Sequence, residues 1–158
     1  MILASAISVT SCASATANVL NPTSDDARAA VTDLTGYAWS SSSLDDGTTW
    51  WVTESDALTS DYPCTFEFVG DPAVVQGSAV IEWNGSDADS YPAGSCVGIL
   101  QGLSAVDWVT WSSEIVADHQ ADMRADMDWD ETTSLDGITV RAEYVGVSDL
   151  LTFTIGER

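Results

Sequence analysis

Ile138-Thr139-Val140-Arg141-Ala142-Glu143-Tyr144 alternates apolar and polar side chains, and Leu150-Leu151-Thr152-Phe153-Thr154-Ile155 does so again. A period of two puts Ile138, Val140, Ala142 and Tyr144 on one face of an extended chain and Thr139, Arg141 and Glu143 on the other. Gly146 to Asp149 is turn-forming, so the two runs are expected to pair as a hairpin. Such a hairpin needs a larger sheet to join and a layer to cover its apolar face.

The same alternation runs back along the chain. Cys64-Thr65-Phe66-Glu67-Phe68-Val69 places Cys64, Phe66 and Phe68 on one face. Tyr37-Ala38-Trp39 opens an earlier strand, Asp45-Asp46-Gly47 is a turn, and Thr48 to Thr53 is rich in β-formers. After the turn Gly70-Asp71-Pro72, Val74-Val75 and Ala79 to Trp83 make the next strand or strands, with Gly77 as a candidate bulge and Asn84-Gly85 as the stop. Ser86 to Ser95 reads as a loop. Cys96 to Leu103 is apolar but carries two glycines, giving a short helix or an irregular segment, and Val106 to Trp111 reads as extended.

Two helices are expected. Ser24 to Leu34 has Thr23 or Ser24 as a cap, Pro22 before it, Asp25 and Asp26 in its first turn and Gly36 beyond its end. Its apolar stripe is Ala27, Ala30, Val31 and Leu34. The second, Glu114 to about Met127, is capped by Ser112 or Ser113 and repeats Ile115, His119, Met123 and Met127, with Val116 beside them. The expected class is α+β: one antiparallel sheet of about five to seven strands, two or three helices on one face and one disulfide.

Charge excludes several functions. The chain has 158 residues with 25 acidic and 4 basic side chains, a net −21, yet 45% are hydrophobic. That length and apolar content fit one globular domain, residues 24–158, with a real core. Without a basic footprint, nucleic acid and anionic membrane surfaces are poor partners. No run of roughly 18 apolar residues suggests a membrane-spanning helix.

The address lies at the N-terminus. Met1 to Val9 is a short uncharged apolar run leading into Val9-Thr10-Ser11-Cys12. An aliphatic residue, two small residues and a Cys resemble the lipobox of bacterial lipoproteins. The resemblance implies a signal peptide over 1–11, cleavage before Cys12, and acylation of Cys12 for membrane anchoring. Thr10 stands where Ala or Ser is usual, and the missing Lys or Arg before the run fits a signal truncated at its start. Residues 12–23, small and polar with Pro22 near their end, read as a flexible tether. The order of elements also resembles small secreted lipoproteins of high-GC Gram-positive, actinobacterial-like, bacteria.

Three cysteines leave two once Cys12 is set aside, Cys64 and Cys96. In an exported chain that pair is expected to form a disulfide. Neither lies in a C-x-x-C and there is one His, so a zinc site is not expected.

The chemistry-bearing residues are few. His119 would need a nearby Ser or Cys and an orienting acid to catalyse hydrolysis; Glu114, Asp118 and Asp122 share its helix, but no G-x-S-x-G elbow exists. Its place between Ile115 and Met123 reads as a packed side chain. Among 25 acids a glycosidase pair can always be chosen, so their presence is uninformative. Asp126, Asp128 and Asp130 start like a calcium loop, but Glu131 stands where Gly belongs and Gly137 where the closing Glu belongs, so no metal site is expected beyond a loosely held hard cation. Asp122 and Glu131 extend that acidic cluster, which reads as a solvated face. Seven tryptophans are the unusual feature. Trp50-Trp51 must send one ring to each face of a strand, and Trp50, Trp51, Trp108 and Trp111 are a candidate ligand platform alongside the ordinary role of Trp in a core.

The leading expectation is a lipid-anchored protein on the extracytoplasmic face of the cell membrane, without enzymatic activity or cofactor, binding another envelope protein or an extracellular component. The alternatives are a surface carbohydrate-binding module using exposed Trp and acids, and a small extracytoplasmic hydrolase.

Overall fold

The computed structural model describes residues 22–54, 64–83, 93–103 and 107–156. The expected signal peptide, Cys12, the tether up to residue 21, and most of the Ser86 to Ser95 loop lie outside the described residues. The described elements form one seven-stranded antiparallel sheet in the order β1-β2-β3-β4-β7-β6-β5. The strands are β1 (Ala38–Ser43), β2 (Thr49–Glu54), β3 (Cys64–Val69), β4 (Gln76–Glu82), β5 (Trp129–Leu135), β6 (Ile138–Val145) and β7 (Leu150–Gly156). The helices are α1 (Ser24–Thr35), α2 (Ala93–Leu100) and α3 (Trp108–Arg124). β1 to β4 form a meander, α2 and α3 carry the chain to the far edge, and β5 to β7 return inward to pair with β4.

Alternation sets the core. Ala79 sits between Phe66 and Phe153, and Ile81 between Cys64 and Leu151. Ala142 faces Phe153 from the other side, and Tyr144 faces Leu151. All of these are buried. The helices cover this row: the Trp39 indole on β1 donates to Arg28 O of α1 at 3.2 Å, and the Tyr144 hydroxyl lies 3.4 Å from Met123 O of α3. Cys64, opening β3, is disulfide-bonded to Cys96 in α2, with a Cα–Cα distance of 6.3 Å.

α1 forms as its start and stop residues dictate. The Thr23 hydroxyl accepts from Asp26 N at 3.2 Å, and Gly36, at φ 75°, donates its N–H to Thr32 O at 2.7 Å. Its buried stripe is narrower than expected: Ala27 and Val31 face the core, whereas Ala30 and Leu34 are exposed.

α3 corrects two expectations. Trp108 to Trp111, expected to be extended, is its first turn, because Asp107 caps it: its carboxylate accepts from Thr110 N at 3.3 Å and from the Thr110 hydroxyl at 3.1 Å. A cap outweighs the β-propensity of Trp, Val and Thr. Ser112 and Ser113 do not cap; their hydroxyls donate back to Val109 O at 2.8 and 3.0 Å inside the helix. The helix stops at Arg124, and Asp126 takes φ 53° while Met127 N donates to Asp122 O at 3.0 Å. Met127 therefore leaves the stripe and is 51% exposed. The reversal frees Trp129–Leu135 to form β5, a strand that the sequence reading did not contain.

Gly77 is not a bulge. It pairs in unbroken register with Phe68 and Ile155. Gly146 has a stricter role: a Cβ there would lie 2.0 Å from Asp126 O, a backbone atom that cannot swing aside. Gly146→Ala is expected to destabilise the chain by about 1–3 kcal/mol, the range for overpacking, as measured by the denaturant midpoint.

Closing a loop of sequence separation 32 with the disulfide stabilises by roughly 3–4 kcal/mol in the chain-entropy model. Reduction, or paired Cys64→Ala and Cys96→Ala substitution, is expected to lower the melting temperature accordingly. Unreduced mass spectrometry should find the chain two hydrogens lighter than the reduced form.

Candidate functional site

The sheet buries one face and leaves the other open. Residues 39, 51, 66, 68, 79, 81, 153, 142 and 144 point to the helices, so their strand neighbours point away. Among the described residues no helix lies on that second face. It carries Trp50, Val52, Glu67, Ser78, Val80, Thr152, Arg141 and Asp130, most of them half-buried or exposed.

Trp50-Trp51 splits across the sheet. Trp51 pairs with Phe68 on the covered face and lies under the Arg28 guanidinium, whose carbon is 3.6 Å from the ring centroid. Trp50 pairs with Val69 on the open face. There Leu44, Trp50, Glu67, Val69 and Gln76 line a shallow concavity of about 320 Å³. The Trp50 indole N–H lies towards the Glu67 carboxylate. Burial pushes Glu67 above the ordinary carboxylate range, and the nearby indole N–H only partly offsets it. The groove thus combines an aromatic wall, two aliphatic side chains, one acid and one amide.

The other candidate Trp residues do not join it. Trp111, on α3, and Trp51 are packed against the core. The Trp108 side chain lies outside the described part of the structure. Trp39 stacks on Phe68 at 5.0 Å between centroids, and Trp83 and Trp129 are buried.

The acidic cluster is likewise divided. Asp128 accepts from Gly146 N at 2.8 Å, while Asp130, two residues on, lies on the open face and pairs with Arg141, whose Nε donates to it at 3.0 Å. Arg141 holds the Asp130 carboxyl below its usual range. Among the described residues no three His, Cys, Asp or Glu side chains form a group able to hold a metal ion. What Asp126 and Asp128 do share is Tyr144. Its hydroxyl donates to Asp149 at 2.9 Å, and its phenol is pushed up to about 12, chiefly by burial and then by the Asp149 hydrogen bond and the charges of Asp149, Asp126 and Asp128.

His119 stacks on Trp129 at 4.4 Å between centroids, with Nδ1 3.0 Å from Asp122 and Nε2 3.4 Å from Glu131. The described residues thus supply the acids that a hydrolytic triad uses, but His119 has no hydroxyl or thiol partner among them. Asp122 was a candidate from its place on the helix; Glu131 reaches His119 from β5.

Sequence reasoning missed Leu44, Glu67, Val69 and Gln76 as groove residues. The available signal was Glu67, an acid inside a β-forming run on the face opposite Phe66 and Phe68. Its nearness to Trp50 depends on a register that period alone does not supply. No family model, no curated protein and no solved structure matches the chain.

Tyr144 offers a check on this electrostatic arrangement. The folded chain keeps a proton that the unfolded chain releases near 10.0, so stability should fall as pH rises from there towards about 12. Tyr144→Phe is expected to lose the latest phenolate step in an ultraviolet titration and to flatten that alkaline fall.

Proposed function

We propose that the protein is a lipid-anchored, extracytoplasmic binding domain of the cell envelope, without enzymatic activity, that presents the open face of its sheet to a partner. The observation that carries the binding reading is the uncovered sheet face with Trp50, Glu67 and Gln76 gathered in one groove. Trp50 is half-buried on this face and is not among the aromatics packed against the core. The anchoring reading rests on Val9-Thr10-Ser11-Cys12 and on cysteine use. With Cys64 and Cys96 joined, Cys12 is the odd thiol, and a structural disulfide is at home outside the cytoplasm. The absence of a nucleophile partner for His119 among the described residues favours binding over hydrolysis.

A glycan is the second reading for the partner. Trp50 supplies a ring and Glu67 and Gln76 supply hydroxyl-bonding groups, although the platform is one Trp rather than four. A glycan array on which binding disappears with Trp50→Ala would establish it.

Anchoring is tested by detergent phase partitioning. The wild type is expected in the detergent phase, and Cys12→Ala in the aqueous phase or the medium. Equal partitioning of the two would overturn the anchored reading.

A further inference from the structure

We infer that the open-face groove binds an organic cation, a guanidinium or alkylammonium group, seated against the Trp50 indole ring and the Glu67 carboxylate that line it together. The inference rests on the binding reading of this face and names the chemistry of its ligand.

The protein contains the same recognition once already, satisfied by its own chain. On the covered face the Arg28 guanidinium lies over Trp51 and pairs with Asp25. An indole and a carboxylate together are what a guanidinium seeks, one for cation–π attraction and one for a charge-assisted hydrogen bond. On the open face Trp50 and Glu67 line one groove and offer the same two kinds of group. The arginines among the described residues are placed elsewhere: Arg28 on Trp51, Arg141 with Asp130 and with Glu143 at 3.2 Å, and Arg124 at the end of α3. Glu67 faces Val52 on β2 and Ser78 on β4, neither of them charged. Thr65 and Val69 are its neighbours on that face of β3, and Glu54, next after Val52 on that face of β2, is an exposed acid. These surroundings favour a cation.

Shape and field agree. Leu44 and Val69 supply aliphatic walls for a methylene stem, and Gln76 supplies a carbonyl that can accept one more N–H. At a net −21 the protein's own field draws cations to its surface and repels anions. A neutral Gln at position 67 would keep the shape without the burial penalty of a charge, so the carboxylate is the feature that needs a reason. Burial raises the proton affinity of Glu67, and a bound cation would lower it. Binding should therefore release a proton and strengthen as pH rises through the titration of Glu67.

The test uses the full chain at roughly physiological ionic strength, where exposed charges are screened. Agmatine probes a free amine, an end-blocked arginine peptide probes a partner side chain, and a neutral methyl glycoside is the control. Calorimetry and tryptophan fluorescence are the readouts. Saturable binding of agmatine or the peptide, stronger at neutral than at acid pH and weakened about tenfold or more by both Glu67→Gln and Trp50→Leu, would support the inference. The tighter of the two cations tells a free amine from a side chain. Glu67→Gln should hold or raise the melting temperature, because it removes a half-buried charge, so lost binding would not be lost folding. Failure of both cations to bind, or binding indifferent to Glu67→Gln, would overturn the inference. Glycoside binding that depends on Trp50, with no cation binding, would overturn it while leaving the open face as a binding surface.

Discussion

The pairing of β4 with β7 is the contact on which the rest of the structure depends. It joins a meander built from residues 38–82 to one built from residues 129–156, along a register running from Gln76↔Gly156 to Glu82↔Leu150. Only across that seam do Phe66, Ala79, Phe153 and Ala142 become one continuous apolar row. Without it, each meander would be a small sheet with an uncovered apolar face, marginal in water. The seam also fixes the helices. α2 must lie beside β4 to meet Cys64 with Cys96, and α3 must cross to the far edge before β5 can begin. Such long-range pairing closes late and slowly, because chain entropy is spent before the contacts form.

A sheet covered on one side assigns opposite fates to adjacent residues, and Trp50-Trp51 shows the consequence. One ring completes the core under Arg28; the other is left on the wet face beside Glu67. In the acidic run, Asp128 is tied to Gly146 just before β5, whereas Asp130 is tied to Arg141 on the open face. A run of alternating acids that resembles a cation loop is therefore a turn followed by a strand, and among the described residues no three of its carboxylates form a metal-holding group.

The inner strands were legible because alternation is a property of the local sequence and one face of each is buried. The hairpin of β6 and β7 and the pattern of β3 were readable for that reason, as was α1, whose cap, acidic first turn and terminal glycine all agree. α3 was misread at its start because Trp108, Val109, Thr110 and Trp111 carry β-propensity, and the deciding interaction is a single Asp107 cap. β5 was invisible because Trp129-Asp130-Glu131-Thr132-Thr133-Ser134 is an edge, exposed on both sides after its first residue, so it has no apolar period to show. The groove was out of reach for a different reason. Each of its residues is ordinary in its own strand, and the site exists only in the cross-strand register that sets Trp50 opposite Val69 and Gln76 opposite Val69 from the other side.

The composition follows from this architecture. Among the described residues the sheet has two free edges, β1 with its Ser40-Ser41-Ser42-Ser43 run and β5, and an open face between them. Exposed edges and flat faces are templates for pairing with other chains, and proteins commonly blunt them with lysine. This chain has no lysine in its sequence. Acidic residues take that role: Asp45 and Asp46 beyond the end of β1, Asp130 and Glu131 on β5, and Glu54, Glu82 and Glu143 on the open face. Like charge on every copy opposes edge-to-edge and face-to-face association, and Asp and Glu are well suited to it because they stay strongly hydrated. These carboxylates thus help to keep a half-covered sheet from pairing with itself. The groove departs from that scheme, since Glu67 lies half-buried beside an aromatic ring, where a charge does least to repel a neighbour and most to attract a cation.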